Sequence, residues 1–220
     1  MVDADLASRE PVPSRGATTQ VVFWFDPVCP FCWMTSRWIT AVAPHRDLEI
    51  EWRPISLLMK NELAEDHPFH PRVSRTLRML RVVEALRAAG RADLVGPLST
   101  ALGTRVHHED DIELEIAEVL EHCGCDPTLA AAADDPAWDE GIRASMDEAL
   151  ELTGPDVGTP IISIPTTGGR VAFFGPVITR MPDPDQALAL WDGFVAMAST
   201  PAFFELKDRK STRLNSSHRT

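Results

Sequence analysis

The sequence has little positive charge, few cysteines and no long apolar run. Its 21 lysines and arginines face 33 aspartates and glutamates, which gives a formal charge of −12 at pH 7. This balance argues against nucleic acid or an anionic membrane as a partner, because both require basic patches. Four cysteines in 220 residues do not make a disulfide scaffold. No apolar stretch approaches the roughly 18 residues of a membrane span, so the composition indicates an ordinary soluble globular protein.

The first residues also lack the features of a secretory signal. Residues 1–19 are polar, contain two prolines, and show neither a basic start nor an apolar core. We expect a disordered lead-in and a cytoplasmic protein, since a reducing compartment lets a pair of cysteines act as a catalyst rather than as a structural crosslink.

Residues 208–220 look foreign to the chain. The segment DRKSTRLNSSH can be back-translated into a common short-read sequencing adapter, so we expect residues 208–220 to be an assembly artefact. Genomic DNA that encodes the segment at this locus would contradict that expectation.

The most informative stretch joins a strand to a helix through two cysteines. Residues 21–25 are β-branched or aromatic and uncharged, which predicts a strand in the interior of a sheet. Asp26 and the following proline predict a turn, and an apolar helix face follows the sequence Cys29-Pro30-Phe31-Cys32. Proline is favoured at the first position of a helix, so Cys29 should lie at the helix N-terminus.

That position favours nucleophilic sulfur chemistry. The free N–H groups and positive dipole of a helix N-terminus can lower a thiol pKa from about 8.5 to roughly 3.5–7.5. We therefore expect Cys29 to attack a disulfide or another electrophile, and Cys32 to resolve the resulting mixed disulfide. The alternative is a zinc knuckle or two inert core cysteines, but zinc requires about four ligands and gives no reason for a buried strand before Cys29.

The remaining elements suggest an α/β fold. A second strand at 48–52, nearer the sheet edge, precedes a helical stretch in which Asp110 and Asp111 are expected to open a helix containing Cys123. Strands at 160–164 and 171–174 flank a glycine pair, which predicts a hairpin before a last helix. This order predicts a thioredoxin-like domain (20–56 and 155–207) with an all-helical insertion (57–154).

The order of elements also gives Pro160 a meaning. In the thioredoxin fold, the proline that opens the third strand is cis and faces the cysteine pair. Thr159-Pro160 matches that place, so we expect a cis peptide there, although an ordinary trans proline at a strand start is the common alternative.

With these residues in view, the chain resembles the mycothiol-dependent nitroreductase family, in the DsbA-like branch of the thioredoxin superfamily. The segments that carry the resemblance are FWFDPVCPFCWMTSRWI, SLLMKNE, ALGTRVH, DVGTPIISI, VAFFGPV and FFELK. The resemblance implies a cytoplasmic, actinobacterial, homodimeric oxidoreductase without a bound cofactor, for which mycothiol or a mycoredoxin-like protein is the reductant.

The resemblance also assigns roles to individual residues. It implies that Cys29 attacks and Cys32 resolves, and that substrate contacts Pro30, Phe31, Asn61, His107, Thr159 and Pro160. Phe31 stands where the family's tryptophan is expected, which keeps an aromatic surface but removes the indole donor. His107 is expected in a loop, where a histidine is often only solvated. Asp26 is either a proton acceptor for Cys32 or only a turn former.

A second cysteine cluster, His122-Cys123-Gly124-Cys125, has the residue types of a metal site. We expect instead that Cys123 packs in the core and Cys125 is a surface thiol, with no metal bound. The leading hypothesis is a reductase of disulfides or of electrophiles such as nitroaromatics. Three alternatives stay open: a glutathione-transferase-like isomerase, a metal-binding or thiol-binding module without turnover, and a secreted disulfide oxidase.

Overall fold

The structure is a computed structural model that describes residues 18–206. Most of the predicted lead-in and all of the predicted foreign tail, 208–220, lie outside these residues. The elements in chain order are β1 (Thr19–Phe25), α1 (Pro30–Arg46), β2 (Leu48–Pro54), α2 (Leu57–Lys60), α3 (His70–Ala88), α4 (Val95–His107), α5 (Ile116–His122), α6 (Asp139–Thr153), β3 (Ile161–Thr166), β4 (Gly169–Phe174) and α7 (Pro184–Ala198). Short 3-10 turns occupy Ala92–Leu94, Pro127–Asp134 and Pro136–Trp138.

The four strands form one mixed sheet in the order β2-β1-β3-β4. β1 is parallel to β2 and antiparallel to β3, and β4 is antiparallel to β3. The side chains of Val21, Phe23 and Trp24 are fully buried, since helices cover a sheet interior that has apolar residues on both faces. The predicted interior strand, the edge position of β2 and the β3-β4 hairpin are all confirmed.

Several elements begin or end at the same end of the sheet, where β1 and β2 terminate. Phe25, the last residue of β1, pairs with Pro54, the last residue of β2. Trp24 pairs with Ile161, the first residue of β3. The connection from β2 to β3 contains α2 to α6. It therefore leaves and rejoins the sheet at the same end of the strands at which α1 begins.

The helical connection departs from the predicted pattern at one point. The helix expected to open at Asp110 and Asp111 is α5, which begins at Ile116. Asp110 has a positive φ of 52°, and the Asp111 N–H donates to the carbonyl of Arg105 at 2.9 Å. This bond closes a turn after α4, and the positive φ of Asp110 interrupts helical geometry there.

Ion pairs attach α3 to the chain that follows it. Arginines recur at every third position of α3, and each contacts a carboxylate from a later segment. The pairs are Arg72–Asp110 (3.7 Å), Arg75–Glu113 (2.7 Å), Arg78–Asp134 (2.8 Å) and Arg81–Asp139 (2.7 Å).

Among the helices of residues 18–206, none combines the length and the apolar character needed to cross a membrane.

Candidate active site

Cys29 is the N-cap of α1. Its backbone is extended (φ −81°, ψ 114°), and its Sγ accepts the Cys32 N–H at 3.4 Å. Pro30 takes the first helical position, where a missing N–H costs no intrahelical bond. The prediction that Cys29 lies at a helix N-terminus is confirmed, and one of the free N–H groups of that terminus points at the sulfur atom.

The two sulfur atoms experience opposite electrostatic environments. The pKa of Cys29 is lowered to about 7, chiefly by a hydrogen bond from the Cys32 thiol, with further donation from the backbone N–H groups of Cys32 and Phe31. Burial raises the pKa of the Cys32 thiol well above its ordinary value, and the neighbouring Cys29 adds to the rise. Near neutral pH, Cys29 is thus the more readily ionised thiol, and Cys32 stays protonated.

The Thr159-Pro160 peptide faces this pair and is cis, as the sequence predicts. The Cys29 thiol donates to the Thr159 carbonyl at 3.5 Å. The Thr159 hydroxyl is buried and makes no hydrogen bond of normal geometry within residues 18–206, but its closeness to the sulfur atom helps to lower the pKa of Cys29. A hydrogen bond from Gly175 N–H to the Pro160 carbonyl, at 2.9 Å, holds the loop.

A second cis peptide, Gly175-Pro176, was not predicted. Its proline carbonyl accepts a hydrogen bond from the Thr35 hydroxyl at 2.8 Å, which ties the loop after β4 to α1. The only sequence signal was the Gly-Pro dipeptide itself, which marks a turn without specifying its isomer.

Asp26 is fully buried beneath the cysteines. Its Oδ1 accepts the Val28 N–H at 2.9 Å, and its Oδ2 accepts the Leu57 N–H at 2.8 Å. Loss of hydration raises the pKa of Asp26 to about 6, against the opposing effect of these hydrogen bonds. The carboxyl therefore shapes the active-site turn, joins it to the first residue of α2, and titrates close to neutral pH.

Asp26 and Cys32 line one small cavity. It measures about 10 Å³, and its walls also include Trp33, Ser36, Gly103 and His107. A cavity of this size has room for about one water molecule, which Asp26 could hydrogen-bond. The cavity gives the buried thiol and the buried carboxyl a shared space through which a proton can pass.

His107 is the last residue of α4 rather than a loop residue, so that prediction was wrong. The helix continues because Thr104 still accepts the His108 N–H one turn later. Nε2 of His107 lies 2.8 Å from the Pro27 carbonyl, so this nitrogen carries a proton and donates to the active-site turn. Burial lowers the pKa of His107, which keeps the ring neutral.

The other predicted contact residues differ in exposure. Pro30 is exposed beside Cys29, and Phe31 is half-buried against the core. Asn61 is an exposed C-terminal cap of α2, and no hydrogen bond within residues 18–206 joins its side chain to the cysteines.

Sequence reasoning missed Trp33, which is central to this site. Its ring stacks on His107 at a centroid distance of 5.9 Å, its indole N–H donates to Nε2 of His108 at 3.1 Å, and Arg37 lies over its face at 4.5 Å. The available signal was an aromatic residue directly after Cys32, combined with a helical glycine, Gly103, that leaves room for a ring.

The expected exposure of Cys125 was wrong, whereas Cys123 packs against the core as expected. Cys125 is buried, with 6% of its surface exposed, while Cys123 is half-buried at the C-cap of α5. Gly124 adopts a positive φ of 70°, and the Cys125 N–H then returns to the Leu120 carbonyl at 2.9 Å, which turns Cys125 inward. Burial raises the pKa of both thiols. No group of three potential metal ligands occurs within residues 18–206.

Comparison with known proteins places this geometry in a family. The family model described as the mycothiol-dependent nitroreductase Rv2466c matches residues 28–208. The chain belongs to this Rv2466c-like family. It is also 32% identical over 199 residues to the uncharacterized protein Rv2286c of Mycobacterium tuberculosis, which covers 88% of this chain and 83% of the relative. Membership identifies the protein as an oxidoreductase of the thiol–disulfide type.

Solved structures of DsbA-like proteins share the fold. A putative protein disulfide isomerase from Nitrosomonas europaea aligns with a TM-score of 0.55 at 11% identity, covering 82% of this chain and 98% of that one. The cytosolic disulfide reductase DsbM from Pseudomonas aeruginosa with GSH aligns with a TM-score of 0.53 at 14% identity, covering 80% and 99%. The predicted thioredoxin-like fold with a helical insertion is confirmed.

Proposed function

We propose that the protein is a cytoplasmic reductase that takes electrons from mycothiol and passes them to disulfides or to electrophilic small molecules such as nitroaromatics. The name of its family supports mycothiol as the reducing co-substrate. The observation that carries the proposal is the asymmetry of the thiols: a helix N-cap cysteine with a pKa of about 7 lies beside a buried cysteine whose pKa is raised.

This asymmetry supports an ordered exchange. The Cys29 thiolate attacks one sulfur of a disulfide, so that a mixed disulfide forms and the other sulfur leaves as a thiolate. Cys32 then loses its proton and attacks the Cys29 sulfur, which releases the second thiol and leaves a Cys29–Cys32 disulfide. The protein gives up two electrons, and two molecules of the thiol reductant restore the dithiol.

A proton acceptor for Cys32 is needed in the second step, because the buried thiol is protonated at neutral pH. Asp26 shares a cavity of about 10 Å³ with Cys32, and its pKa of about 6 leaves it mostly ionised at pH 7. Asp26, through a water molecule in this cavity, is the acceptor that the geometry favours.

The remaining assignments belong to the same proposal. Pro30, Phe31, Thr159 and Pro160 form the surface next to Cys29 that receives the substrate, with Asn61 and His107 as polar groups of the cleft. A mycoredoxin-like protein is an alternative electron donor, no cofactor is bound, and the protein functions as a homodimer.

The deciding experiment supplies mycothiol or glutathione as the only reductant and measures turnover of a disulfide and of a nitroaromatic. Wild type should turn over with mycothiol, Cys29→Ser should be inactive, and Cys32→Ser should stop at the mixed disulfide, visible by intact mass. Cys123→Ser is the matched control, since it alters a thiol outside the site. Full activity of Cys32→Ser would favour the transferase-like isomerase, which needs a single nucleophile.

A further inference from the structure

A cation near the site lacks an anionic partner. Arg37 is half-buried on α1, and burial lowers its pKa. Its Nη2 atom is buried without a hydrogen-bond partner within residues 18–206. Its Nε reaches only the Ser36 hydroxyl, at 3.2 Å, and no carboxylate of the described residues lies within ion-pair distance.

This isolation is unusual in so acidic a protein. Acidic residues outnumber basic ones by 33 to 21, and other arginines find carboxylates readily. Arg46, on the same helix, makes a two-pronged pair with Asp192, with both distances 2.7 Å. Partly burying a cation without a counter-charge costs free energy, and a buried donor without a partner requires an explanation.

The position of the guanidinium suggests that explanation. It lies over the Trp33 ring at 4.5 Å, and Trp33 lines the cavity beside Cys32. Cys29, Trp33 and Arg37 follow one another at intervals of four residues, so their side chains lie along one face of α1. A substrate that extends from Cys29 along this face therefore brings its distal group toward the guanidinium.

A second donor flanks the same ring. His108 is exposed, and its Nε2 accepts the Trp33 indole N–H at 3.1 Å. The proton of the neutral imidazole is therefore on Nδ1, which is left to donate to a ligand. Arg37 and His108 thus contact one indole ring and leave N–H donors without acceptors from the described residues.

We propose that Arg37, supported by Trp33 and His108, binds a carboxylate of the substrate whose sulfur Cys29 attacks. The inference rests on the proposed reductase function and adds a preference for anionic acceptors. The guanidinium pairs with the carboxylate, so the scissile sulfur is held at Cys29 while the S–S bond breaks and the leaving thiolate departs.

The test compares two aromatic disulfides that both react with thiolates by releasing an aromatic thiol. One is the dianionic 5,5′-dithiobis(2-nitrobenzoate), and the other is the neutral 2,2′-dipyridyl disulfide. With the reduced protein, Arg37→Met should lower kcat/KM for the dianion at least 10-fold, mostly through KM. It should change kcat/KM for the neutral disulfide less than 2-fold. Arg37→Lys should recover part of the loss, because the charge remains.

Arg46→Met is the matched control, since it removes a paired arginine from the same helix, and it should leave the ratio of the two kcat/KM values unchanged. Equal losses on both disulfides in Arg37→Met would overturn the proposal and make Arg37 a structural partner of Trp33. An unchanged kcat/KM for the dianion would overturn it as well. Wild type that reduces neither disulfide would contradict the proposed function itself, a result separable from either outcome.

Discussion

The chemistry at the residue scale depends on which sulfur atom receives hydrogen bonds. Cys29 accepts the Cys32 N–H at 3.4 Å and is stabilised as a thiolate by the neighbouring thiol. Cys32 is enclosed, with 3% of its surface exposed, and burial penalises its charged form. Two identical side chains in one helical turn therefore differ in how readily they ionise, which is the basis of the proposed roles of attacking and resolving thiol.

The alkylation rate of Cys29 should report this division. Because the pKa of Cys29 is about 7, the rate of reaction with iodoacetamide should rise with pH to a plateau, with a midpoint near 7. Cys32→Ala removes the largest stabilising contact, so its midpoint should move toward the ordinary value of 9.0. Thiolate absorbance at 240 nm gives an independent titration. If the midpoint did not move in Cys32→Ala, the helix terminus alone would set the pKa.

Asp26→Asn should slow resolution without slowing attack. The amide cannot accept the Cys32 proton, so release of the second thiol should fall roughly 100-fold, and its pH dependence near 6 should disappear. Stopped-flow measurement of mixed-disulfide decay resolves this step, and alkylation of Cys29 is the internal control. An unchanged decay rate would leave Asp26 only its role in shaping the turn.

The sequence predicted the residues whose roles depend on near neighbours. Cys29, Pro30 and Cys32 lie within one turn, and Pro160 follows from the order of strands. Trp33 and Arg37 could not be assigned, because Trp33 acquires its role from contacts with α4, about 70 residues later in the chain. The isomer of Pro176 and the inward turn of Cys125 likewise depend on packing that a one-dimensional pattern does not contain.

At the scale of elements, the close approach of α1 and α4 positions the site. An added Cβ on Gly103 would lie 2.4 Å from the Trp33 ring, and the ring belongs to a rigid indole. His107, one turn further along α4, reaches the Pro27 carbonyl. The spacing of these two helices therefore controls both Trp33 and the turn before Cys29.

Gly103→Ala should consequently destabilise the protein despite alanine's higher helix propensity. We expect a loss of about 1–3 kcal/mol in the free energy of unfolding, measured in urea. Gly193→Ala in α7 is the matched control, because nothing lies within 4 Å of its added Cβ, and it should gain up to about 1 kcal/mol. A stable Gly103→Ala protein would show that Trp33 can move without cost.

The arginines of α3 should contribute unequally. Arg81 makes two hydrogen bonds to Asp139, at 2.7 and 3.0 Å, and the two side chains are only 15% and 20% exposed. Arg81→Met should therefore cost about 1–3 kcal/mol by leaving a carboxylate without its partner. Arg75 and Glu113 are 43% and 62% exposed, so Arg75→Met should cost less than about 1 kcal/mol. Equal losses in urea unfolding would contradict this ranking.

Element types were easier to predict than element limits. The apolar run of β1 and the glycine pair of the β3-β4 hairpin are local features, and both predictions were correct. The start of α5 was misplaced, because Asp110 resembles a helix cap in sequence but adopts a positive φ in the fold. Polar residues that cap helices also close turns, so a single sequence leaves the choice open.

At the scale of the whole molecule, thiolate formation and folding are linked. The folded pKa of Cys29, about 7, is below its ordinary value of 9.0. The stabilisation is thus fully present above pH 9 and is lost as the pH falls through 7. Between pH 6 and 8.5, reduced wild type should gain on the order of 2 kcal/mol over reduced Cys29→Ser.

Urea unfolding of both reduced proteins at the two pH values checks this expectation. Asp26 titrates in both proteins, so its contribution cancels in the comparison. A difference that did not depend on pH would show that the thiolate is no more stable in the folded state than in the unfolded chain.

The helical connection between β2 and β3 both leaves and rejoins the sheet at the end of the strands where Cys29 lies. Leu57, the first residue of α2, donates its N–H to Asp26, so the connection is anchored to the carboxyl beneath the thiols. Insertions or deletions among α3 to α6 can therefore remodel the mouth of the site while the hydrogen bonds of the sheet and the cysteine turn stay intact. Such an arrangement allows the segment α3 to α6 to be altered, by evolution or by design, so that substrate preference changes while the thiol chemistry stays the same.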